Sequence, residues 1–308
     1  MNRTAIAIHG GAGAASHFIK KYEQDYKNSL STIVRAGRKM LEDGCTAIEA
    51  VAGTARLLED NPLFNAGKGA ALNARGQVSM DAAIMNGATL KAGAVAGQDQ
   101  IKNPVALAQA VMEHTPHVLM NGDGLNILRK FKGWDIVSKS YFMTAHQIQE
   151  YLDLKKDSRA NNDNSVPHLN ARERHGTVGC VALDCYGDLA AATSTGGASY
   201  CIPGRISDSC IIGAGCYANN KTCAVSVTGD GEYLMTRLAA HTVSMAMELA
   251  DMPLQQACEY AIAKYPSDDC DAGIISVNRN GDIGICYNSE RMHRAWIGSD
   301  GQLNCHIY

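Results

Sequence analysis

At 308 residues, with 46% apolar side chains and 30 glycines, the chain has material for one large domain or two ordinary ones, rich in tight turns. A formal net charge of −3 and the lack of any basic tract leave no electrostatic footprint for nucleic acid or an anionic membrane. No apolar run approaches the roughly 20 residues of a membrane span, and Ala5-Ile6-Ala7-Ile8 is too short for a signal-peptide core.

The first predicted element is a buried strand from Thr4 to His9, stopped by Gly10-Gly11. That glycine pair fits either a simple turn or a loop with close backbone approach to a ligand. A long helix is expected over Lys20 to Asp43, with Tyr22, Tyr26, Leu30, Ile33, Val34 and Met40 on one face and Gly44 as its stop. Thr46 then caps a second helix to about Asp60, with Glu49 completing a capping box.

The next stretch, Asn61-Pro62-Leu63-Phe64-Asn65-Ala66-Gly67-Lys68-Gly69, is irregular, and its carbonyls have no ladder to join. It reads either as a solvated loop or as an oxygen cage for a hard cation. Gln77 to Met85 and Leu90 to Ala96 read as a strand pair around Asn86-Gly87. Asn103-Pro104 opens a helix through Met112, and His117 to Met120 reads as a strand. Peripheral helices are expected over Gly124–Phe131 and His146–Lys156.

From about 157 to 176 the composition turns polar, Asp157-Ser158-Arg159-Ala160-Asn161-Asn162-Asp163-Asn164-Ser165 holding one alanine, which predicts a flexible linker. Strands follow at Val178–Leu183, Leu189–Thr193 and Cys223–Thr228, then helices at Glu232–Leu249 and Pro253–Tyr265. A hairpin, Ala272–Val277 and Ile283–Tyr287 around Asn280-Gly281, closes the predicted elements.

The chemistry centres on His175-Gly176-Thr177-Val178-Gly179. A threonine hydroxyl becomes a nucleophile when a base takes its proton, and a free α-amino group on the same residue can be that base. Such an amine titrates at about 7.7–8.0, so much of it is unprotonated near neutral pH. Thr177 acquires that amine only if the Gly176–Thr177 peptide bond breaks. Glycine before it gives the hydroxyl room to attack the preceding carbonyl. Standing alone, the same residues fit a strand-entry turn.

The surrounding motifs are His9-Gly10-Gly11-Ala12-Gly13, Asn61 to Gly69, Thr193-Ser194-Thr195-Gly196-Gly197, Pro203-Gly204-Arg205-Ile206-Ser207-Asp208-Ser209, Gly213-Ala214-Gly215-Cys216-Tyr217-Ala218 and Thr228-Gly229-Asp230-Gly231-Glu232. In this order the chain, from about residue 5 to about 297, closely resembles the plant-type asparaginase and isoaspartyl peptidase family of N-terminal nucleophile hydrolases. The resemblance implies an α+β fold, a four-layer αββα sandwich, in one intertwined domain. It implies a precursor cut between Gly176 and Thr177, giving an α subunit of residues 1–176 and a β subunit of residues 177–308.

It further implies an autocleaving β-aspartyl peptidase with L-asparaginase activity, working through an acyl ester on Thr177. Thr195 would tune the nucleophile, and the Thr228 hydroxyl with the Gly229 N–H would meet the oxyanion. Arg205 would grip the substrate α-carboxylate and Asp208 its α-ammonium, with Gly231 contributing backbone contacts and Asn65 lying near the nucleophile. The family's sodium site maps onto the backbone oxygens of Leu58, Glu59, Asn61, Phe64, Ala66 and Lys68, and no organic cofactor is expected. Association as (αβ)2 follows from the same resemblance.

Departures from the family pattern are Ser199-Tyr200-Cys201, Ser207, Cys210 and the acidic run Asp268-Asp269-Cys270-Asp271. They bear on leaving-group preference and leave two alternatives: a glycosylasparaginase of the same class, or a non-cleaving aspartate-binding protein. The eleven cysteines have no Cys-x-x-Cys pair and lie mostly in apolar strands, as buried free thiols in a reducing cytoplasm would. The ten histidines show no zinc-hydrolase spacing.

Overall fold

The computed structural model describes residues 3–122, 128, 135–160, 176–265 and 270–308. Strand β1 spans Ala5–Gly13 and is buried along its length. It does not stop at the glycine pair. Its register against a late strand shifts between His9 and Ala12, and Gly11 sits at a φ of 111°, a bulge that only glycine adopts cheaply.

The predicted first helix is two, α1 (His17–Lys21) and α2 (Glu23–Glu42), parted at Tyr22. Helix α3 (Ala47–Glu59) begins with the expected capping box, the Glu49 carboxylate accepting from the Thr46 N–H at 2.9 Å. Strands β2 (Met80–Asn86) and β3 (Ala92–Gln98) follow, then α4 (Pro104–His114), with proline in the first turn where its missing N–H costs nothing. The short β4 (Leu119–Asn121) runs parallel to β3. The helix expected over 124–131 lies, but for Leu128, outside the described residues.

Helix α5 spans Ala145–Ala160, so the first four residues of the expected linker, 157–160, are helical; composition alone misjudged a segment that extends an existing helix. Residues 161–175 lie outside the described residues. Next come β5 (Val178–Leu183), β6 (Leu189–Thr195), β7 (Cys216–Ala218) and β8 (Cys223–Gly229). The helix expected at 232–249 is also two, α6 (Gly231–Thr236) and α7 (Ala239–Ala250), because Leu238 turns into the left-handed region at a φ of 48°. Helix α8 (Leu254–Ile262), β9 (Ala272–Asn278), β10 (Ile283–Tyr287), β11 (Arg291–Ile297) and β12 (Leu303–His306) complete the chain.

Two sheets result, ordered β12-β11-β1-β5-β6-β2-β3-β4 and β10-β9-β8-β7. Helices α2, α3 and α4 pack on the larger, α7 and α8 on the smaller, and the sheets contact each other through β1, β5, β6, β8 and β9. Strand β5 carries no polar side chain because both its faces are covered. One apolar core, including Ile6, Ile8, Leu30 and Leu58, lies beneath the first helices; a second, with Val181, Leu183 and Ile275, lies between the sheets; a third, with Val225, Val243 and Leu254, lies beneath α7 and α8. Each large aliphatic side chain buried there stabilises the fold by about 1.5–3 kcal/mol relative to exposure.

All eleven cysteines are free thiols, and seven of them are buried. Among the described residues no helix is long and apolar enough to cross a membrane.

Helix α2 approaches α3 and β1 closely at Gly37, where an added Cβ would run into Thr54 Oγ1 and lie 2.5 Å from Ile6 Cδ1. Gly37→Ala is therefore expected to destabilise by about 1–3 kcal/mol through overpacking, despite alanine's better helix propensity. Urea unfolding checks this; a gain in stability would show that α2 can shift outward freely.

Candidate active site

Thr177 is 4% exposed and sits where β5 begins, in the middle of the larger sheet. The carbonyl oxygen of Gly176 accepts two hydrogen bonds, from Asn65 Nδ2 at 2.9 Å and from Thr195 Oγ1 at 2.7 Å. Both donors are held in the required orientation. Asn65 Oδ1 accepts from the Ala71 N–H, which fixes the amide's sense, and Nδ2 spends its second hydrogen on the Gly197 carbonyl at 2.7 Å. Thr195 Oγ1 accepts from the Gly197 N–H at 3.0 Å, so its own hydrogen must point at Gly176. A side chain at 176 would meet Asn65 Cβ at 2.9 Å, which is why glycine precedes Thr177.

The Thr177 carbonyl is held from the other side by His9. Its Nδ1 faces that oxygen at 2.9 Å and must carry the proton, since a carbonyl can only accept. His9 Nε2 then accepts from Ser226 Oγ at 2.8 Å, and Ser226 in turn meets Thr193 Oγ1 at 2.7 Å. Burial pushes the imidazole down to about 3, with the bond to Thr177 opposing, so His9 is neutral at physiological pH. Gly179 makes this possible, because a Cβ there would occupy the space of Ser226 Oγ and His9 Nε2. This buried link from β1 through β8 to β6 was missed in the sequence; its only signal was a histidine before two glycines.

Thr228 and Gly229 end β8 on the far side of the β1 bulge. Thr228 Oγ1 accepts from the Ala12 N–H at 3.2 Å, and Gly229, at a φ of 139°, lies against the Asp271 carbonyl. The groups on the Gly176 carbonyl are Asn65 and Thr195, so the expected oxyanion pair and the donors on that carbonyl are separate sets.

Arg205, Asp208 and Gly231 come together: a Cβ on Gly231 would lie 2.8 Å from Arg205 Nη2 and 2.9 Å from Asp208 Oδ1. Glu232 already takes one edge of the guanidinium, with Nε–Oε1 2.7 Å and Nη2–Oε2 3.0 Å, leaving the Nη1/Nη2 end for a second carboxylate. Asp208 is 2% exposed and its Oδ2 has no hydrogen-bond partner among the described residues. Burial pushes its carboxyl up to about 7, with Arg205 opposing the shift. Ser207 positions the turn: its N–H donates to Asp81 Oδ2 at 2.7 Å and its hydroxyl caps the Ser209 N–H.

Of the departures, Tyr200 adopts a φ of 60° and packs its ring 5.8 Å from Tyr151 on α5. Cys210 is buried, its thiol directed at the Ser207 carbonyl. Asp271 is buried, and its carbonyl accepts from the Asp230 N–H; Asp268 and Asp269 lie outside the described residues.

The expected cation loop fits such an ion in its chemistry. Gly67 packs on the Glu59 carbonyl and Gly69 on those of Pro62 and Phe64, close approaches that a Cβ would block. The carbonyls of Asn61, Phe64 and Ala66 each accept one backbone N–H and keep a second lone pair, whereas that of Leu58 already accepts from both the Asp60 and Asn61 N–H groups. The Lys68 ammonium, 5.4 Å over the Tyr141 ring, is engaged away from them.

The profile of the family described as Asparaginase matches residues 2–307. The chain belongs to the asparaginase family. It is 44% identical over 299 residues to the isoaspartyl peptidase of Escherichia coli strain K12, covering 96% of this chain and 93% of that one. It is 37% identical to the isoaspartyl peptidase/L-asparaginase of Mus musculus, covering 98% and 90%, and 35% identical to that of Xenopus laevis, covering 99% and 96%. In this family member, Thr195→Val removes a hydroxyl donor from the Gly176 carbonyl at nearly constant volume. It is expected to slow breakage of the Gly176–Thr177 bond by about 10²-fold, the usual worth of one oxyanion donor. Fragment appearance by mass spectrometry checks this; an unchanged rate would assign Thr195 a merely structural role.

Proposed function

We propose that the chain is a self-cleaving isoaspartyl peptidase with L-asparaginase activity. The observation that carries this reading is the Gly176 carbonyl held by two orientation-locked donors directly beside a threonine. Attack of the Thr177 hydroxyl on that carbonyl places a negative charge on the oxygen facing Asn65 and Thr195. The C–N bond then breaks, the nitrogen takes a proton, and an ester links Gly176 to Thr177 Oγ. Water hydrolyses the ester and leaves Thr177 with a free α-amine, the base for all later turnovers.

In the mature enzyme the same hydroxyl attacks a β-aspartyl amide. Arg205 receives the substrate α-carboxylate on its open end, the unpartnered Asp208 oxygen receives the α-ammonium, and Gly231 leaves the space between them clear. Thr228 and Gly229 serve the oxyanion of this second reaction. The two sheets and their helices support a stacking in four layers, αββα. A sodium ion on the carbonyls of Leu58, Glu59, Asn61, Phe64, Ala66 and Lys68 would stiffen the loop from which Asn65 reaches Gly176. Two αβ units associate, as the resemblance implies, and eleven unpaired thiols suit a reducing compartment such as the cytoplasm.

Intact mass after warming at neutral pH tests the first step: wild type yields fragments ending at Gly176 and starting at Thr177, and Thr177→Ala stays whole. A wild-type chain that persists uncut, binds aspartate and releases no ammonia would instead establish a binding protein. Turnover of β-Asp-Leu is expected, and exclusive turnover of N-glycosylated asparagine would replace this reading with a glycosylasparaginase.

Asp208 must be ionised to pair with an ammonium, so kcat/KM falls as the pH drops through about 7, with KM rising. An acid limb carried by kcat alone would contradict this and leave only the Thr177 amine. Replacing sodium by tetramethylammonium lowers the thermal midpoint by a few degrees if the loop holds a cation; an unmoved midpoint would show that it holds none.

A further inference from the structure

Ile206 and Ser207 separate Arg205 from Asp208; Ile206 is 40% exposed, whereas Ser207 is buried. The segment is tied to the larger sheet at Ser207, whose N–H donates to Asp81 Oδ2 at 2.7 Å. Asp81 lies in β2, and its other oxygen, Oδ1, accepts from the Gly97 N–H at 2.9 Å. Strand β3 is shaped to supply that N–H. Met80 pairs with Gln98 and Ala82 with Val95, so Ala96 and Gly97 both stand opposite Asp81, and Gly97 bulges at a φ of 68°. Bonds from backbone N–H groups to a carboxylate are roughly twice as strong as neutral ones. Asp81 is 1% exposed, so little water competes for them. Both N–H groups and the nearby Arg205 guanidinium favour the charged carboxylate, against the effect of burial.

Resting on the reading of Arg205 and Asp208 as the grip on the substrate, we propose that Asp81 is a positioning residue for substrate recognition. It braces the Ser207 turn against the β3 bulge and so fixes the spacing of the two charges that meet the α-carboxylate and the α-ammonium. Asp81 is also the β2 partner of Thr195, which donates to the Gly176 carbonyl. Its own bonds run to Ser207 and Gly97, and Thr195 is oriented by the Gly197 N–H. The brace therefore serves substrate binding and leaves the self-cleavage geometry alone. The α-carboxylate and α-ammonium take no part in bond breaking and are gripped alike in ground state and transition state, so a loosened grip raises KM and changes kcat little.

In Asp81→Asn a carboxamide turns its oxygen to one N–H and its NH2 group to the other, so the brace is broken whichever way the amide sits. Wild type and variant are compared by ammonia release from L-asparagine, by competitive inhibition with L-aspartate and by fragment appearance in mass spectrometry. The brace predicts that KM and the L-aspartate inhibition constant both rise about tenfold or more, the worth of a lost hydrogen bond to a charged group. The same variant is expected to keep kcat within about threefold of wild type and to cut the Gly176–Thr177 bond at the wild-type rate. Should Asp81→Asn fail to fold, Asp81→Ser, which takes less room and accepts from one N–H, is expected to show the same split. An unchanged KM in a folded variant overturns the brace. Loss of kcat or of self-cleavage alongside KM, or failure of both variants to fold, marks Asp81 as a merely structural member of β2 and overturns it too. Wild type that neither cuts itself nor releases ammonia overturns the proposed function itself.

Discussion

The structure depends on one carbonyl. Gly176 presents its oxygen to Asn65 Nδ2 and Thr195 Oγ1, and the backbone of Ala71 and Gly197 keeps those two donors in place. Gly197 does so twice, its carbonyl taking the second Asn65 hydrogen and its N–H blocking the Thr195 lone pair. A donor whose orientation is fixed beforehand gives its full electrostatic worth when charge develops, because nothing must reorganise at that moment. The fold supplies the rigidity. Asn65 comes from the loop after α3, Thr195 from the end of β6 and Gly176 from the approach to β5, and these meet because β5 and β6 are neighbours on which α3 packs.

His9 plays the complementary part on the other side of the bond. It fixes the Thr177 carbonyl while Asn65 and Thr195 fix the Gly176 carbonyl, so the peptide unit between them is gripped at both flanks. An imidazole pushed down to about 3 by burial carries no charge at neutral pH, which suits a structural donor and spares the site a buried cation. The bulge after His9 lets β1 keep its pairing with β11 while Gly11 reaches the Gly176–Thr177 peptide bond.

Much of this was legible in the sequence, and the limits have physical causes. Strands β5, β9 and β10 and the capped helix α3 carry local signals, namely apolar runs, a tight turn and a capping box. Strand β11 was not recognised because Arg291, His293 and Arg294 make it read as polar, although every one of them is buried. The helix breaks at Tyr22 and Leu238 have neither glycine nor proline to announce them. Around the site, motif order singled out Arg205, Asp208 and Gly231 together, and the structure brings these three side by side. Glu232 on the Arg205 fork and the His9–Ser226–Thr193 link were not readable, since both join segments distant in sequence by side chains common elsewhere.

In the proposed reaction the same hydroxyl attacks twice, first a carbonyl of its own chain and then a substrate's, with different oxyanion partners. The two sets of groups are close enough to influence one another. Gly197, at a φ of 79°, bonds Asn65 through its carbonyl, and a Cβ on it would lie 3.6 Å from Arg205 Nη1. It therefore borders the two donors on the Gly176 carbonyl and the Arg205 guanidinium together. A side chain there would strain the backbone and crowd the end of Arg205 left open by Glu232. In the proposed function, maturation and substrate recognition thus share one glycine, and a change at that position would disturb both reactions through a single cause.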